Sequence, residues 1–222
     1  MKVRQYLITG LFQFQSYFFF LIFAPMSLKT KVKVGKITNL SDARYCAGMG
    51  VDFLGFQIGT THGIDPRKYK EITEWVAGPR FVLEWQGSDI EIFEKAIQDY
   101  NADFIELSVM QLNLMTKFDT PVFLSLTPSE WASNKALMLN YKLRISHLLI
   151  KSYSHTTPVQ LIAEMKSEFP VLVNVVESKV TLEELLRLPI DGISLEGSEE
   201  SKPGLKDYSH LSDILESLES ME

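Results

Sequence analysis

The chain is poor in cysteine: Cys46 stands alone among 222 residues. A single thiol excludes an intramolecular disulfide framework and a zinc site built on thiolates. Clustered basic charge is missing as well. The 22 Lys and Arg residues are outnumbered by 28 Asp and Glu, the net charge is −6, and no long basic run occurs. Nucleic acids and anionic membrane surfaces are bound through clustered Lys and Arg, so neither is an expected partner of the folded body. No short repeat of fixed period is visible. His62, His147, His155 and His210 show no spacing such as His-x-x-x-His, so no metal site is expected.

What is present is an ordinary globular composition. Apolar residues make up 45 % and charged residues 23 %, which argues against extensive disorder. The length suits one domain, or two small ones. Residues 6–24 carry no charged side chain, with Lys2 and Arg4 before them and an apolar centre at 18–23. Three readings fit this stretch: an extension upstream of a start at Met26, a signal peptide, or a membrane anchor. Gln13, Gln15, Ser16 and the lack of an Ala-x-Ala cleavage site speak against the last two. The division adopted is an apolar extension over 1–25 and a folded body over 26–222, for which a cytoplasmic location is expected.

After Met26 the pattern alternates. Strands are read at Val32–Ile37, Asp52–Phe56, Arg80–Trp85, Asp103–Leu107, Val122–Leu126, His147–Lys151, Val171–Val176 and Ile190–Leu195. Helices are read between them from their start signals. Examples are Asn39 to Asp42, Asp65-Pro66, running to about Ala77, and Thr127 to Glu130. A weak helix is read around Met110–Thr116, and an amphipathic one at Tyr208–Leu218. The strands are short and apolar on both faces, as in a parallel sheet covered by helices. Strict alternation of eight such units in one domain predicts a (β/α)8 TIM barrel. The other candidate is an open doubly wound sheet, weakened by the lack of a glycine-rich phosphate fingerprint after the first strand. In a barrel, sites form at the C-terminal ends of the strands.

Two segments carry a family resemblance. Lys33-Val34-Gly35-Lys36-Ile37-Thr38-Asn39-Leu40-Ser41-Asp42-Ala43, followed by Gly50-Val51-Asp52-Phe53-Leu54-Gly55-Phe56, resembles the start of phosphoribosylanthranilate isomerase. Asp191-Gly192-Ile193-Ser194-Leu195-Glu196-Gly197-Ser198-Glu199, with Pro203-Gly204-Leu205-Lys206-Asp207, is similar to that family's last strand and phosphate loop. The resemblance implies a (β/α)8 barrel of tryptophan biosynthesis. It implies an aldose-to-ketose rearrangement without metal or organic cofactor. The implied ligand is a small molecule, a phosphorylated sugar derivative, and the implied state is a monomer or homodimer.

The departures from the family pattern fall on its chemistry. Where the family has its Cys base, this chain has Gly35. Where it has its Asp acid, at the end of the sixth strand, this chain has Lys151. Where it has a substrate-holding Arg in the second loop, this chain has His62. The fourth strand ends Glu106-Leu107-Ser108-Val109, and the seventh loop reads Val176-Glu177-Ser178 in place of a Gly-Gly turn. An acid and a base each contribute about 10²–10⁴-fold in such proton transfers.

Lys151 is read as pointing into the barrel mouth. There it either pairs with Glu106 or Glu196, holds a ligand, or acts as an amine nucleophile toward carbonyls. Lys151 and Glu106 are the candidate catalytic residues. His62, Gly197, Ser198 and Glu196 are the candidate ligand-binding residues. Gly197 and Ser198 could offer backbone N–H groups to a phosphate. Glu177, Glu196, Glu199 and Glu200 crowd the same loops with unfavourable charge unless Lys179, Lys202 or Lys206 offsets it. Cys46 is read as a packing residue, and Trp85 as either core or pocket lining.

Three functions stay open at this point. The first is an isomerase-like barrel with that activity lost or altered. The second is a working isomerase with replacement residues. The third is a non-enzymatic binding protein on the same scaffold.

Overall fold

The computed structural model describes residues 28–197, 200–202, 205–206 and 209–219. The division expected at 25/26, and Ser198, lie outside the described residues. Strands β1 (Lys31–Gly35), β2 (Phe53–Ile58), β3 (Arg80–Trp85), β4 (Phe104–Ser108), β5 (Val122–Leu126), β6 (Ile145–Ile150), β7 (Val171–Asn174) and β8 (Gly192–Glu196) form a closed parallel barrel in sequence order. Closure is made by β1 and β8, in register from Lys31–Gly192 to Gly35–Glu196. The open doubly wound sheet is thereby excluded. No helix among the described residues is long and apolar enough to cross a membrane.

The covering helices are α1 (Leu40–Gly48), α2 (Pro66–Thr73), α3 (Ile90–Asp99), α4 (Pro128–Asn140), α5 (Val159–Glu168), α6 (Leu182–Leu186) and α7 (Ser209–Ser217). Their starts follow the sequence signals. The Asn39 side chain accepts from the Asp42 N–H at 2.9 Å, and Asp65 accepts from the Lys68 N–H at 2.9 Å. Thr127 with Glu130, and Thr181 with Glu184, form capping boxes. Each such cap stabilises its helix by about 1 kcal/mol.

Four details depart from the sequence reading. The fourth connection (Val109–Thr116) is a 3₁₀ helix. Helix α2 stops at Thr73 rather than near Ala77, and Trp75 beyond it is exposed. Strand β7 stops at Asn174 because its Oδ1 accepts the Glu177 N–H at 3.0 Å and turns the chain. After β8, where a loop was expected, segments 200–202 and 205–206 pair as an antiparallel ribbon.

Three aspartates clamp neighbouring strands at the N-terminal end of the barrel. The Val32 N–H donates to Asp52 Oδ2 at 2.8 Å, while the Asp52 N–H donates to the Val32 carbonyl at 3.0 Å. Phe81 and Asp103 exchange the same two bonds at 2.8 and 3.0 Å. Val171 and Asp191 do so at 2.9 and 2.8 Å. The clamps join β1 to β2, β3 to β4, and β7 to β8.

Side chains alternate along each strand between two cores. Val32, Val34, Leu54, Phe56 and Trp85 face the helix layer, and Cys46 is buried there. Trp85 packs edge-on against Phe93, so it belongs to this layer rather than to the barrel interior. The interior core is small: Phe53, Val82, Phe104, Phe123, Leu149 and Leu172. It fills the N-terminal half of the barrel. Above it, toward the C-terminal mouth, the same strands turn polar.

Candidate active site

The inward positions one pleat above the aromatic layer are Lys33 on β1, Glu84 on β3 and Glu106 on β4. They are 2 %, 5 % and 5 % exposed. Glu84 and Glu106 are register neighbours. The Lys33 ammonium donates to Glu84 Oε1, and it lies 3.0 Å from Glu106 Oε2. That second contact is an ion pair, so the buried Glu106 Oε2 is met by the same ammonium that serves Glu84.

One ammonium therefore faces two carboxylates in a dry interior. Burial works against the Lys33 charge, yet Glu106 and Glu84 together hold its ammonium above the usual lysine range. Burial is the largest influence on Glu106. Reinforced by the Glu84 charge, it holds that carboxyl above the usual carboxylate range against the pull of Lys33. Two carboxylates beside one cation retain a proton more readily than either would alone.

Glu84 is the residue that the sequence reading missed. Its carboxylate occupies the space over two neighbouring glycines. A Cβ at Gly35 would collide with Glu84 Oε1, and so would a Cβ at Gly55. Gly35 is thus more than a missing base, because its bareness makes room for a carboxylate from β3. The second oxygen, Oε2, accepts the Lys36 backbone N–H at 3.1 Å. Lys36 has φ +56°, and so does Ser152, the residue after Lys151. Left-handed backbone at non-glycine residues is unfavourable by about 1–3 kcal/mol and clusters at functional sites. Here it occurs at two chain turns of one barrel mouth.

Above the buried cluster lies a cavity of about 150 Å³. Glu106 reaches it from below, Lys151 and Glu196 from the rim, and Gln57, Asn174 and Ser194 from the wall. Glu196 is paired with the Lys36 ammonium at 2.5 Å. Lys151 has no ion-pair or hydrogen-bond partner for its amine among the described residues, although its charge acts on Glu106.

Of the residues proposed from sequence, Lys151, Glu106 and Glu196 converge on one cavity. His62 does not: it is exposed in the loop after β2 and does not line the cavity. Gly197 is adjacent, but its N–H donates to the Gly35 carbonyl at 2.8 Å. In the seventh loop the Glu177 N–H goes to Asn174 Oδ1 and the Ser178 N–H to the Val175 carbonyl at 3.2 Å. These three backbone donors, which a phosphate would need, are engaged within the protein. Ser108 caps the 3₁₀ helix with Gln111, whose Nε2 donates to the Gly87 carbonyl at 2.8 Å. The signal that could have found Glu84 is parity. It follows Val82 by two residues in a strand whose other face carries Leu83 and Trp85, so it points inward. Lys33, between Val32 and Val34, gives the same signal.

A larger cavity, about 890 Å³, opens at the opposite end of the barrel around Lys31, Asp52, Arg80 and Asp191. It lies at the starts of the strands. In barrels, sites form at the other end, where the smaller cavity lies.

No family model matches the chain, and no curated protein matches it significantly by sequence. Solved structures do match in fold. The phosphoribosyl anthranilate isomerase of Thermus thermophilus superposes with a TM-score of 0.62 at 20 % identity, covering 85 % of this chain and 98 % of that one. A phosphoribosyl anthranilate isomerase in complex with reduced 1-(o-carboxyphenylamino)-1-deoxyribulose 5-phosphate gives 0.64 at 18 %, covering 84 % and 97 %. A truncated 3-deoxy-D-arabino-heptulosonate 7-phosphate synthase from Thermotoga maritima gives 0.58 at 17 %, covering 84 % and 83 %. Two different enzymes on one barrel make this a likeness of fold.

Proposed function

We propose that the chain is a phosphoribosylanthranilate isomerase-like barrel that no longer carries out that aldose-to-ketose rearrangement at an appreciable rate, and that its mouth serves a smaller ligand. The observation that carries this reading is Glu84, whose carboxylate lies over Gly35 where the base of the resembled family would stand. Glu84 accepts from the Lys33 ammonium with one oxygen and from the Lys36 N–H with the other, so both carboxylate oxygens are engaged within the protein. The internally engaged N–H groups of Glu177, Ser178 and Gly197 are a poor cradle for a phosphate. The cavity is also small. Its 150 Å³ is well below the roughly 300 Å³ at which pockets for drug-sized molecules begin.

The convergence of Lys151 and Glu106 on one cavity favours a chemical role over a purely structural one. Lys151 and Glu106 are accordingly proposed as the reactive pair and Glu196 as a binding group. A small molecule is the proposed partner, with the chain as a monomer or homodimer.

The test uses purified protein and N-(5′-phosphoribosyl)anthranilate, followed by the fluorescence change of the anthranilate group. No turnover above the uncatalysed rate is expected, nor growth of a tryptophan auxotroph lacking this isomerase. Rescue at a normal growth rate would falsify the reading.

A further inference from the structure

We infer that Lys151 forms a covalent imine with small, uncharged hydroxy-aldehydes or hydroxy-ketones in the barrel-mouth cavity, with Glu106 as the proton carrier. This deepens the reading above, since it assigns a substrate class to the same site.

Four observations combine. Lys151 is an amine without a bonded partner among the described residues, placed at the rim of a polar cavity. Glu106 borders that cavity, and its buried Oε2 is met among the described residues by the Lys33 ammonium that it shares with Glu84. A ligand hydroxyl or water would add a hydrogen bond to this half-served carboxyl. Backbone strain at Ser152 fixes the chain immediately after Lys151. Finally, the lining carries more acids than bases: Lys33, Lys36 and Lys151 face Glu84, Glu106, Glu177 and Glu196. Such a cavity disfavours an anionic ligand, while Gln57, Asn174 and Ser194 supply amide and hydroxyl groups for a polyol. A cavity of about 150 Å³ is small, which suits a molecule of few carbons.

The step balances without a further reactant. It begins with transfer of one proton from the Lys151 ammonium to the Glu106 carboxylate, which leaves a carboxylic acid beside a neutral amine. The Nζ lone pair attacks the carbonyl carbon, forming the C–N bond, and the carbonyl oxygen takes the Glu106 proton. The nitrogen returns one proton to the Glu106 carboxylate. Glu106 then protonates the new hydroxyl, the C–O bond breaks, and water leaves as the nitrogen lone pair forms the C=N bond. The product is a protonated imine on Lys151 beside an ionised Glu106, plus one water.

The experiment incubates the full chain with dihydroxyacetone and sodium cyanoborohydride and maps the reduced adduct by peptide mass spectrometry. Mapping on the unaltered chain identifies the residue without relying on a variant. Lys151 is expected to be labelled about tenfold faster than the exposed Lys95. Glu106→Gln is expected to slow labelling at Lys151 by about 10²-fold and leave Lys95 unchanged. Lys151→Arg, which keeps the charge, is expected to abolish the fast adduct, and Lys95→Arg to spare it. Pyruvate in place of dihydroxyacetone is expected to label Lys151 more slowly, because it brings an uncompensated carboxylate.

Labelling of Lys151 no faster than Lys95 overturns the proposal. So does labelling of Lys33 in its place, or a Lys151 rate indifferent to Glu106→Gln. The isomerase assay reads independently. Turnover of the anthranilate substrate sinks the functional reading, and an unlabelled Lys151 without turnover sinks only the imine.

Discussion

The two halves of the barrel interior are built on the same strands and obey opposite rules. In the N-terminal half, Phe53, Phe104 and Phe123 meet edge to face with centroids 5.1–5.8 Å apart, and the His147 ring stacks on Phe123 at 4.4 Å. One pleat higher, Phe104 is followed by Glu106, Val82 by Glu84, and Leu149 by Lys151. The change happens on several strands at one level. Apolar packing supplies stability below, and that stability can tolerate an ionic cluster above which is itself a weak stabiliser. The contrast separates the part of the barrel that holds the fold from the part available for chemistry.

The contrast can be broken from either side. The largest effects are expected from removing one member of each half. Phe123→Ala is expected to lower unfolding free energy by about 3–5 kcal/mol at any pH at which the chain is folded. Lys33→Met is expected to lower it by a similar 3–5 kcal/mol at neutral pH, because two buried carboxylates lose the ammonium they share. Urea titration as a function of pH distinguishes the two. The Lys33→Met loss should shrink in acid, where the carboxylates take up protons, while the Phe123→Ala loss should not. A Lys33→Met deficit that stays constant with pH would show that Glu84 and Glu106 find other partners.

Next in size is the pH response of the aromatic half itself. Burial first, and then the nearby Lys31 charge, lower the His147 pKa to about 4. The folded chain thus holds this imidazole neutral, while the unfolded chain protonates it below about pH 6.5. Its contribution is complete above that pH and declines toward pH 4, by about 3 kcal/mol in all. Glu106 runs the other way. Its raised pKa means that the folded state binds the extra proton, so its contribution grows as pH falls through that value. His147→Phe is expected to flatten the acid limb of the stability curve, and Glu106→Gln to steepen it. Identical slopes for both variants would remove the distinction between the halves.

A smaller effect sharpens the boundary between them. Gly35→Cys restores the side chain of the resembled family but places its Cβ against Glu84 Oε1. A loss of about 1–3 kcal/mol is expected from this overpacking. Adding Glu84→Ala should recover part of it, a coupling that a double-mutant cycle measures. Gly35→Cys with Lys151→Asp is expected to give no isomerase activity while Glu84 remains.

Most of the scaffold could be read from the chain because period, caps and alternation are local. Asn39, Asp65, Thr127 and Thr181 mark helix starts by bonds to residues three positions away. The site was legible only in part. Lys151, Glu106 and Glu196 follow from their positions at strand ends. Glu84 acts across the barrel on Gly35 and Gly55, and no one-dimensional pattern states which strand fills the space over a glycine. His62 was assigned by alignment of loops, and loops keep position in sequence without keeping it in space. The Gly197 N–H was assigned as a phosphate donor because the backbone bond that engages it comes from β1, more than 160 residues earlier.

The aspartate clamps bear on how this barrel divides. Asp52, Asp103 and Asp191 each lock a strand to the next one, so β1–β2, β3–β4 and β7–β8 form locked pairs, while β5 and β6 share no such clamp among the described residues. A break in the chain near Asp119, between β4 and β5, severs no clamp, whereas a break near Gly87, between β3 and β4, separates Phe81 from Asp103. Two fragments cut at the first place are expected to reassociate into a folded barrel when coexpressed, and two cut at the second to do so poorly. The locked pairs would then be the units that a split barrel keeps, with the cavity at the mouth assembled only when they meet.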